Sequence, residues 1–267
     1  MWKSFVWTAF MVGITSSAFA ERPLIIAHRG ASHEAPENTL AAFNLAWEQN
    51  ADGIEGDFYL SADGEIVCIH DKTTKRTGNR DLQVDQSTLA ELRKIDVGSW
   101  KGDRYADEKI PTLREVLATV PDDKLIYIEI KCGPEIVPVL KRQLSATNFP
   151  LDQVRVISFN EAVVAAIRSE LPTVTVNWLT GFKQSGGRWK PLPSTLKPKL
   201  QELDASGIGT QNKLGAVSAE LVQEIHQAEM QFHVWTVDDV DEARQWATRG
   251  VDSITTNKPK HLLDAFK

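Results

Sequence analysis

The 267-residue sequence predicts a single (β/α)8 TIM barrel with a β-hairpin inserted after the second strand, and three observations predict it. Short apolar runs bounded by turn residues alternate with helix-period segments beyond residue 20, as in a parallel sheet covered by helices. The polar residues His28 with Arg29, Glu55 with Asp57, and Glu129 with Lys131 stand where apolar runs stop, and parallel barrels gather their chemistry at such strand ends. Removing a 20-residue leader leaves 247 residues, which fits the ~250 typical of one barrel, so 21–267 is expected to be one domain.

The leader expectation rests on residues 1–20. Lys3 is their only charge, an apolar stretch runs from Phe5 to Ile14, and Ala18-Phe19-Ala20 supplies a small-x-small cleavage pattern. The stretch is shorter than the ~20 residues a spanning helix needs, and no later segment is apolar enough to span. A secreted or periplasmic protein with no stable membrane insertion is expected. Without Lys3 the balance is 29 basic against 36 acidic residues, and no basic cluster interleaves with aromatics, so nucleic acid is excluded as a partner.

Strands are expected near 24–27, 53–60, 66–70, 125–130, 154–158, 174–178, 207–210, 231–236 and 252–256, one too many for the barrel. Asp63-Gly64 is a two-residue hairpin signal, so 66–70 reads as an antiparallel return from the strand of Glu55 and Asp57. Pairing residues whose numbers sum to 127 then sets His70 opposite Asp57. Helices are expected at 39–49 behind an Asn38 or Thr39 cap, and at 112–120, 135–147, 160–170, 195–205 and 218–228. The last, 239–249, has Asp238 as cap, acids in its first turn and Gly250 as its stop. Two long connections, 71–111 and 180–194, follow strand ends and are expected to rim the site. Cys68 and Cys132 have strand parities that weigh against pairing.

Glu55, Asp57 and Glu129 form an all-oxygen set suited to one hard divalent cation, Ca²⁺ or Mg²⁺. Without a cation, three acids in one barrel mouth repel. His28 and His70 are the candidate acid and base, since imidazole takes up and gives back protons near neutral pH and both stand near these carboxylates. Arg29 can grip phosphate through its planar fork, or pair with Glu37, and Lys131 adds a point charge. Trp235 has inward parity near its strand end, and His233, one layer deeper, reads as a hydrogen-bonded core residue.

At HRG 28–30, PENT 36–39, ExD 55–57, HD 70–71, GSW 98–100, EKIPTL 108–113, ExK 129–131 and VWTV 234–237 the chain resembles the glycerophosphodiester phosphodiesterase family. The resemblance implies metal-dependent hydrolysis of small deacylated phospholipids to glycerol 3-phosphate and an alcohol, with Trp235 packed on the glycerol moiety. The family often carries an aspartate after the last strand's threonine, where this chain has Asn257. Rival readings are a lysophospholipase D-like or phospholipase C-like barrel phosphodiesterase, for which exposed Trp100 and Trp189 would be the hints, and a non-catalytic glycerophosphodiester-binding protein. The binding protein would have lost a histidine or a metal carboxylate, and neither is lost.

Overall fold

The computed structural model describes residues 22–267, and the leader expected at 1–20 lies outside the described residues. Eight parallel strands close into a barrel. They are β1 (Leu24–His28), β2 (Gly53–Leu60), then, past the antiparallel β3 (Ile66–Cys68), β4 (Leu125–Ile130), β5 (Val154–Ser158) and β6 (Thr175–Thr180). Beyond a small hairpin of β7 (Lys183–Ser185) and β8 (Arg188–Lys190) come β9 (Gly207–Gln211), β10 (Gln231–Trp235) and β11 (Ser253–Thr256). Closure is made by β1, which pairs with β11 on one side and β2 on the other.

Period-2 alternation divides the apolar residues between two cores. Ile26, Tyr127, Ile157 and Leu179 point inward and fill the barrel. Ile25, Ile54, Phe58, Ile128, Val156, Val176, Phe232 and Ile254 point outward, into the layer beneath the helices. Those helices are α1 (Leu40–Glu48), α2 (Leu89–Leu92), α3 (Leu113–Leu117), α4 (Val137–Thr147), α5 (Glu161–Glu170), α6 (Leu196–Glu202), α7 (Ala219–His226), α8 (Val240–Thr248) and α9 (Pro259–Ala265). None among the described residues is long and apolar enough to cross a membrane.

Four local expectations need correction. The β2–β3 pairs are Phe58 with Cys68, Tyr59 with Val67 and Leu60 with Ile66, so partner numbers sum to 126 rather than 127. The turn is the cause. Ser61 N donates to Glu65 O at 2.9 Å, which leaves a three-residue loop ending at Gly64 in the left-handed region (φ 80°). Asp57 O therefore accepts from Ile69 N at 2.8 Å, and His70 lies one residue past the expected pairing, beyond the strand. Second, of the two cap candidates Thr39 takes the role, accepting from Ala42 N, so the Asn38 alternative falls and Asn38 is free for another task. Third, Asp239, not Asp238, caps α8, accepting from Asp241 N and Glu242 N. Fourth, the 180–194 connection contains the β7–β8 hairpin.

The 71–111 excursion is packed rather than loose. Val84, Leu92, Ile95, Val97 and Ile110 form a small core against Tyr59, Val67 and Ile69. Two reciprocal capping boxes, Thr88 with Glu91 and Thr112 with Glu115, start its α2 and the α3 that follows. Thr112 bridges back to Val67, so the excursion ends beside the strand it left.

After β1, Arg29 (φ 56°) and Gly30 (φ 79°) turn the chain through left-handed conformations. A Cβ on Gly30 would stand 2.5 Å from the Ala42 carbonyl carbon of α1, whereas one on Gly64 would meet nothing within 4 Å. Gly64→Ala should therefore lose only the left-handed penalty, ~1–2 kcal/mol. Gly30→Ala should lose more than ~2 kcal/mol, because overpacking adds to that penalty. Urea unfolding of the two variants, read as a difference in midpoint at equal m, checks the ranking.

Candidate active site

The site is assembled by register. His28 stands beside Glu55 across β1–β2, and Asp57 beside Glu129 across β2–β4, so four functional side chains occupy neighbouring positions at the same barrel end. Glu55, Asp57 and Glu129 each offer a carboxylate oxygen, and these oxygens lie within 4.8 Å of one another. Glu55 Oε1 and Asp57 Oδ1 are buried without a hydrogen-bond partner. Buried acceptors are normally satisfied. Two such orphans converging in an all-oxygen set fit a hard divalent cation.

The left-handed turn aims Arg29 at this cluster. Its backbone N donates to Glu55 Oε2 at 3.0 Å, its Nε lies 3.1 Å from Asp57 Oδ2, and Nη1 donates to Glu37 Oε1 at 2.8 Å. Lys131 Nζ donates to Glu129 Oε1 at 2.6 Å and stands 3.3 Å from Asp57 Oδ1. Both readings of Arg29 thus hold at once, since it pairs with Glu37 and faces the cluster. The carboxylates divide accordingly. Burial, then the charges of Asp57 and Glu129, push Glu55 well above the usual carboxylate range. Burial and Asp57 push Glu129 up to about 7 against the pull of Lys131. Burial acts on Asp57 in the same sense, but Arg29 and Lys131 outweigh it and hold Asp57 below its ordinary value.

The two histidines approach from different parts of the chain. His28 Nδ1 is 2.7 Å from Asn257 Oδ1, and its Nε2 is 4.0 Å from Glu55 Oε2. Burial first, and Arg29 next, lower His28 to about 4. His70 Nδ1 is 2.5 Å from Asp71 Oδ1, and Asp71 Oδ2 accepts from Arg76 Nε at 2.7 Å. Arg76 then forks onto both oxygens of Glu37 at 2.8 Å. A continuous line of charge thus runs from Asp57 through Arg29, Glu37, Arg76 and Asp71 to His70.

Trp235 sits edge-on to Phe159, with ring centroids 5.5 Å apart. Both rings line a cavity of about 230 Å³ together with His28, Arg29, Glu55, His70, Glu129 and Lys131. All the expected site residues except Asp57 border this space, and Asp57 lies directly behind it, fully buried. A larger cavity of about 520 Å³ adjoins it, sharing Glu129, Lys131 and Phe159 and reaching Lys72, Asp85 and Glu135. Neither cavity is lined by residues 183–190, contrary to the expectation for that connection. Trp189 instead donates to Gly215 O at 2.9 Å and packs on Phe182. The 71–111 excursion does rim the larger cavity, through Lys72, Val84 and Asp85. His233 is a core residue, held by Ser253 at 2.7 Å and Thr255 at 2.8 Å, and both cysteines are free.

Sequence reasoning missed three participants. Asn38 donates to Asp57 Oδ2 at 2.8 Å and accepts from Asp57 N at 3.1 Å, a two-point clasp that a cap reading hides. Arg76 lies in a charged stretch with no periodicity to single it out. Asp238, read as a cap, accepts from Asn257 Nδ2 at 2.7 Å.

An acidic cluster that cations only partly neutralise, at the mouth of a closed parallel barrel with room for a small ligand, defines a class: the barrel phosphoric diester hydrolases. Comparison with known proteins agrees. A 251-residue alignment to a glycerophosphodiester phosphodiesterase from Caldanaerobacter subterraneus is 34% identical and covers 92% of this chain and 98% of that protein. Another glycerophosphodiester phosphodiesterase, from Bacillus altitudinis, is 30% identical over 90% of this chain and 96% of its own. Among solved structures, an Oleispira antarctica phosphodiesterase in complex with the product sn-glycerol-3-phosphate superposes with a TM-score of 0.81 at 29% identity, covering 92% of this chain and 97% of that one. The sequence model of the glycerophosphoryl diester phosphodiesterase family matches residues 28–261, and the chain belongs to that family.

The raised carboxyls give a pH test. Glu129, raised from 4.5 to about 7, and Glu55, also raised well above its ordinary value, keep protons in the native state that the unfolded chain has already released. The native state then binds more protons, so this stabilisation is present below about 4.5 and is lost as pH rises through the folded values. In chelator, the melting temperature should fall between pH 5 and 8, and Glu129→Gln should flatten the fall. A pH-independent melting temperature over that range would contradict the assignment.

Proposed function

We propose that the protein hydrolyses glycerophosphodiesters to glycerol 3-phosphate and an alcohol, with a divalent cation at Glu55, Asp57 and Glu129 and with His28 and His70 as the base and acid. The observation that carries this reading is the pair of orphaned carboxylate oxygens beside a cavity that both histidines line. The known product complex of the Oleispira relative supports glycerol 3-phosphate as the retained half of the substrate. Ca²⁺ or Mg²⁺ bound there would supply Lewis-acid stabilisation of charge developing on phosphoryl and glycerol oxygens.

The chain's own residues do the rest. Arg29 and Lys131, already facing the cluster, are placed to bind phosphoryl oxygens at the cavity wall. His28 is held uncharged at neutral pH, so its Nε2 can accept a proton from the attacking water, or from a glycerol hydroxyl whose cyclic diester water then opens. His70, whose Nδ1 proton is held by the Asp71 carboxylate, would in its imidazolium form give its Nε2 proton to the leaving alkoxide. Trp235 and Phe159 form the apolar wall on which the glycerol carbons pack. The leader pattern supports export with cleavage after Ala20, which the mass of the secreted or periplasmic form would check.

Phe159 and Trp100, 48% and 46% exposed, keep lysophospholipids in the substrate panel as the competing class. The deciding experiment incubates the protein with glycerophosphodiesters and lysolipids, with and without chelator, and identifies the products. Chelation should abolish turnover and Ca²⁺ or Mg²⁺ restore it, so full activity after exhaustive chelation would end the metal reading. His28→Ala and His70→Ala should each lower kcat ~10²-fold or more with less effect on affinity. Arg29→Lys should impair both kcat and KM, because an ammonium cannot span Glu37, Asp57 and a phosphoryl oxygen at once.

A further inference from the structure

Asn257 follows the last strand, and its surroundings give it a defined task. Asp238 Oδ1 accepts from Asn257 N at 2.7 Å and from Thr256 Oγ1 at 2.9 Å, while Asp238 Oδ2 accepts from Asn257 Nδ2 at 2.7 Å. A carboxylate ringed by three donors can only accept. The Asn257 amide therefore has one orientation, with nitrogen toward Asp238 and oxygen toward the barrel mouth. That oxygen receives Ser32 Oγ at 2.9 Å and lies 2.7 Å from His28 Nδ1. An amide oxygen cannot donate, so Nδ1 must carry the proton and the lone pair must sit on Nε2, which faces Glu55.

We propose that Asp238 and Asn257 form a positioning relay that fixes His28 as its Nδ1–H tautomer and aims the basic Nε2 at the carboxylate cluster. The inference rests on the reading of His28 as proton acceptor. Neither residue touches the cavity, so each acts through His28. Asp238 supplies the negative charge behind the amide, and an acid in place of Asn257 would stand against it. Ser32 and the Asn257 main chain, whose carbonyl accepts from His33 N at 3.1 Å, hold the first strand-to-helix loop against the last, so the relay is braced on both sides.

The test reads the tautomer directly. Long-range ¹H–¹⁵N spectra of the imidazole rings in the full chain, with the His28 signals identified by their loss in His28→Gln, should show Nδ1–H for His28. In Asn257→Ala the ring should pass to the Nε2–H form. kcat should fall about 10- to 100-fold, the scale for losing an outer-shell partner of a site histidine, with KM little changed. Asp238→Ala should act in the same direction, and the double variant should be no worse than the single ones. The exchanged pair, Asp238→Asn with Asn257→Asp, restores an acceptor at Nδ1 and a donor behind it, and should recover the Nδ1–H ring and most of kcat. An Nε2–H ring in the unmodified protein, or an unaltered Nδ1–H ring in folded Asn257→Ala, overturns the relay. A shifted tautomer with full kcat would leave the relay standing and remove His28 from the chemistry.

Discussion

The constraint on which the rest of this molecule depends is the burial of negative charge. Glu55, Asp57 and Glu129 present oxygens within 4.8 Å of one another inside an apolar barrel. At an effective dielectric of ~20, two like charges at such a distance repel by roughly 3–4 kcal/mol, and burial adds a solvation penalty to each. The surrounding chain is arranged to offset this. Arg29 bends into a left-handed conformation to reach two acids, Lys131 bridges Asp57 and Glu129, and Asn38 gives up the cap position to clasp Asp57. Even so, two cations face three acids, and Glu37 takes half of Arg29. The imbalance that remains is what a bound cation would settle, and it makes the charge of the pocket and the stability of the fold two views of one electrostatic fact.

The supporting shells reach far along the chain. His28 is oriented from the last strand's loop, His70 from the excursion after β3, and Glu129 enters from β4. Because β1 is sandwiched between β2 and β11, the site is complete only when the chain's first and last strands have met. The acidic cluster needs only β2 and β4 to pair, whereas the contact of His28 with Asn257 waits on the long-range closure of β1 against β11, the entropically costlier step.

Much of this was legible because strand parity and strand ends are local signals. The eight barrel strands, the carboxylate trio, the two histidines and the core role of His233 follow from apolar runs and the residues that stop them. The β2–β3 register was not, because Asp63-Gly64 is compatible with both a two-residue and a three-residue turn, and only the Ser61–Glu65 pairing decides between them. Cap assignment was left open at α1 and failed at α8 for one reason. Asn38 beside Thr39 and Asp238 beside Asp239 are adjacent residues of equal capping aptitude, and in each pair tertiary contacts claimed the first, leaving the second to cap. Arg76 was invisible because its partners lie 5 and 39 residues away, with no period linking them. The 180–194 connection was misplaced because following a strand end does not say which way a hairpin leans.

The excursion between β3 and α3 leaves and returns at neighbouring points, where Val67 meets Thr112 and Cys68 N donates to Pro111 O at 2.8 Å. Because its two ends are stapled together and it has its own small core, changes in its length cost little closure entropy and do not disturb the register of β4. The segment is therefore built as a cassette whose length can change without loss of the barrel. Such a change would redraw the wall formed by Lys72, Val84 and Asp85 while the carboxylates behind it stay in place, so divergence in what the enzyme accepts can proceed separately from the inheritance of what it does.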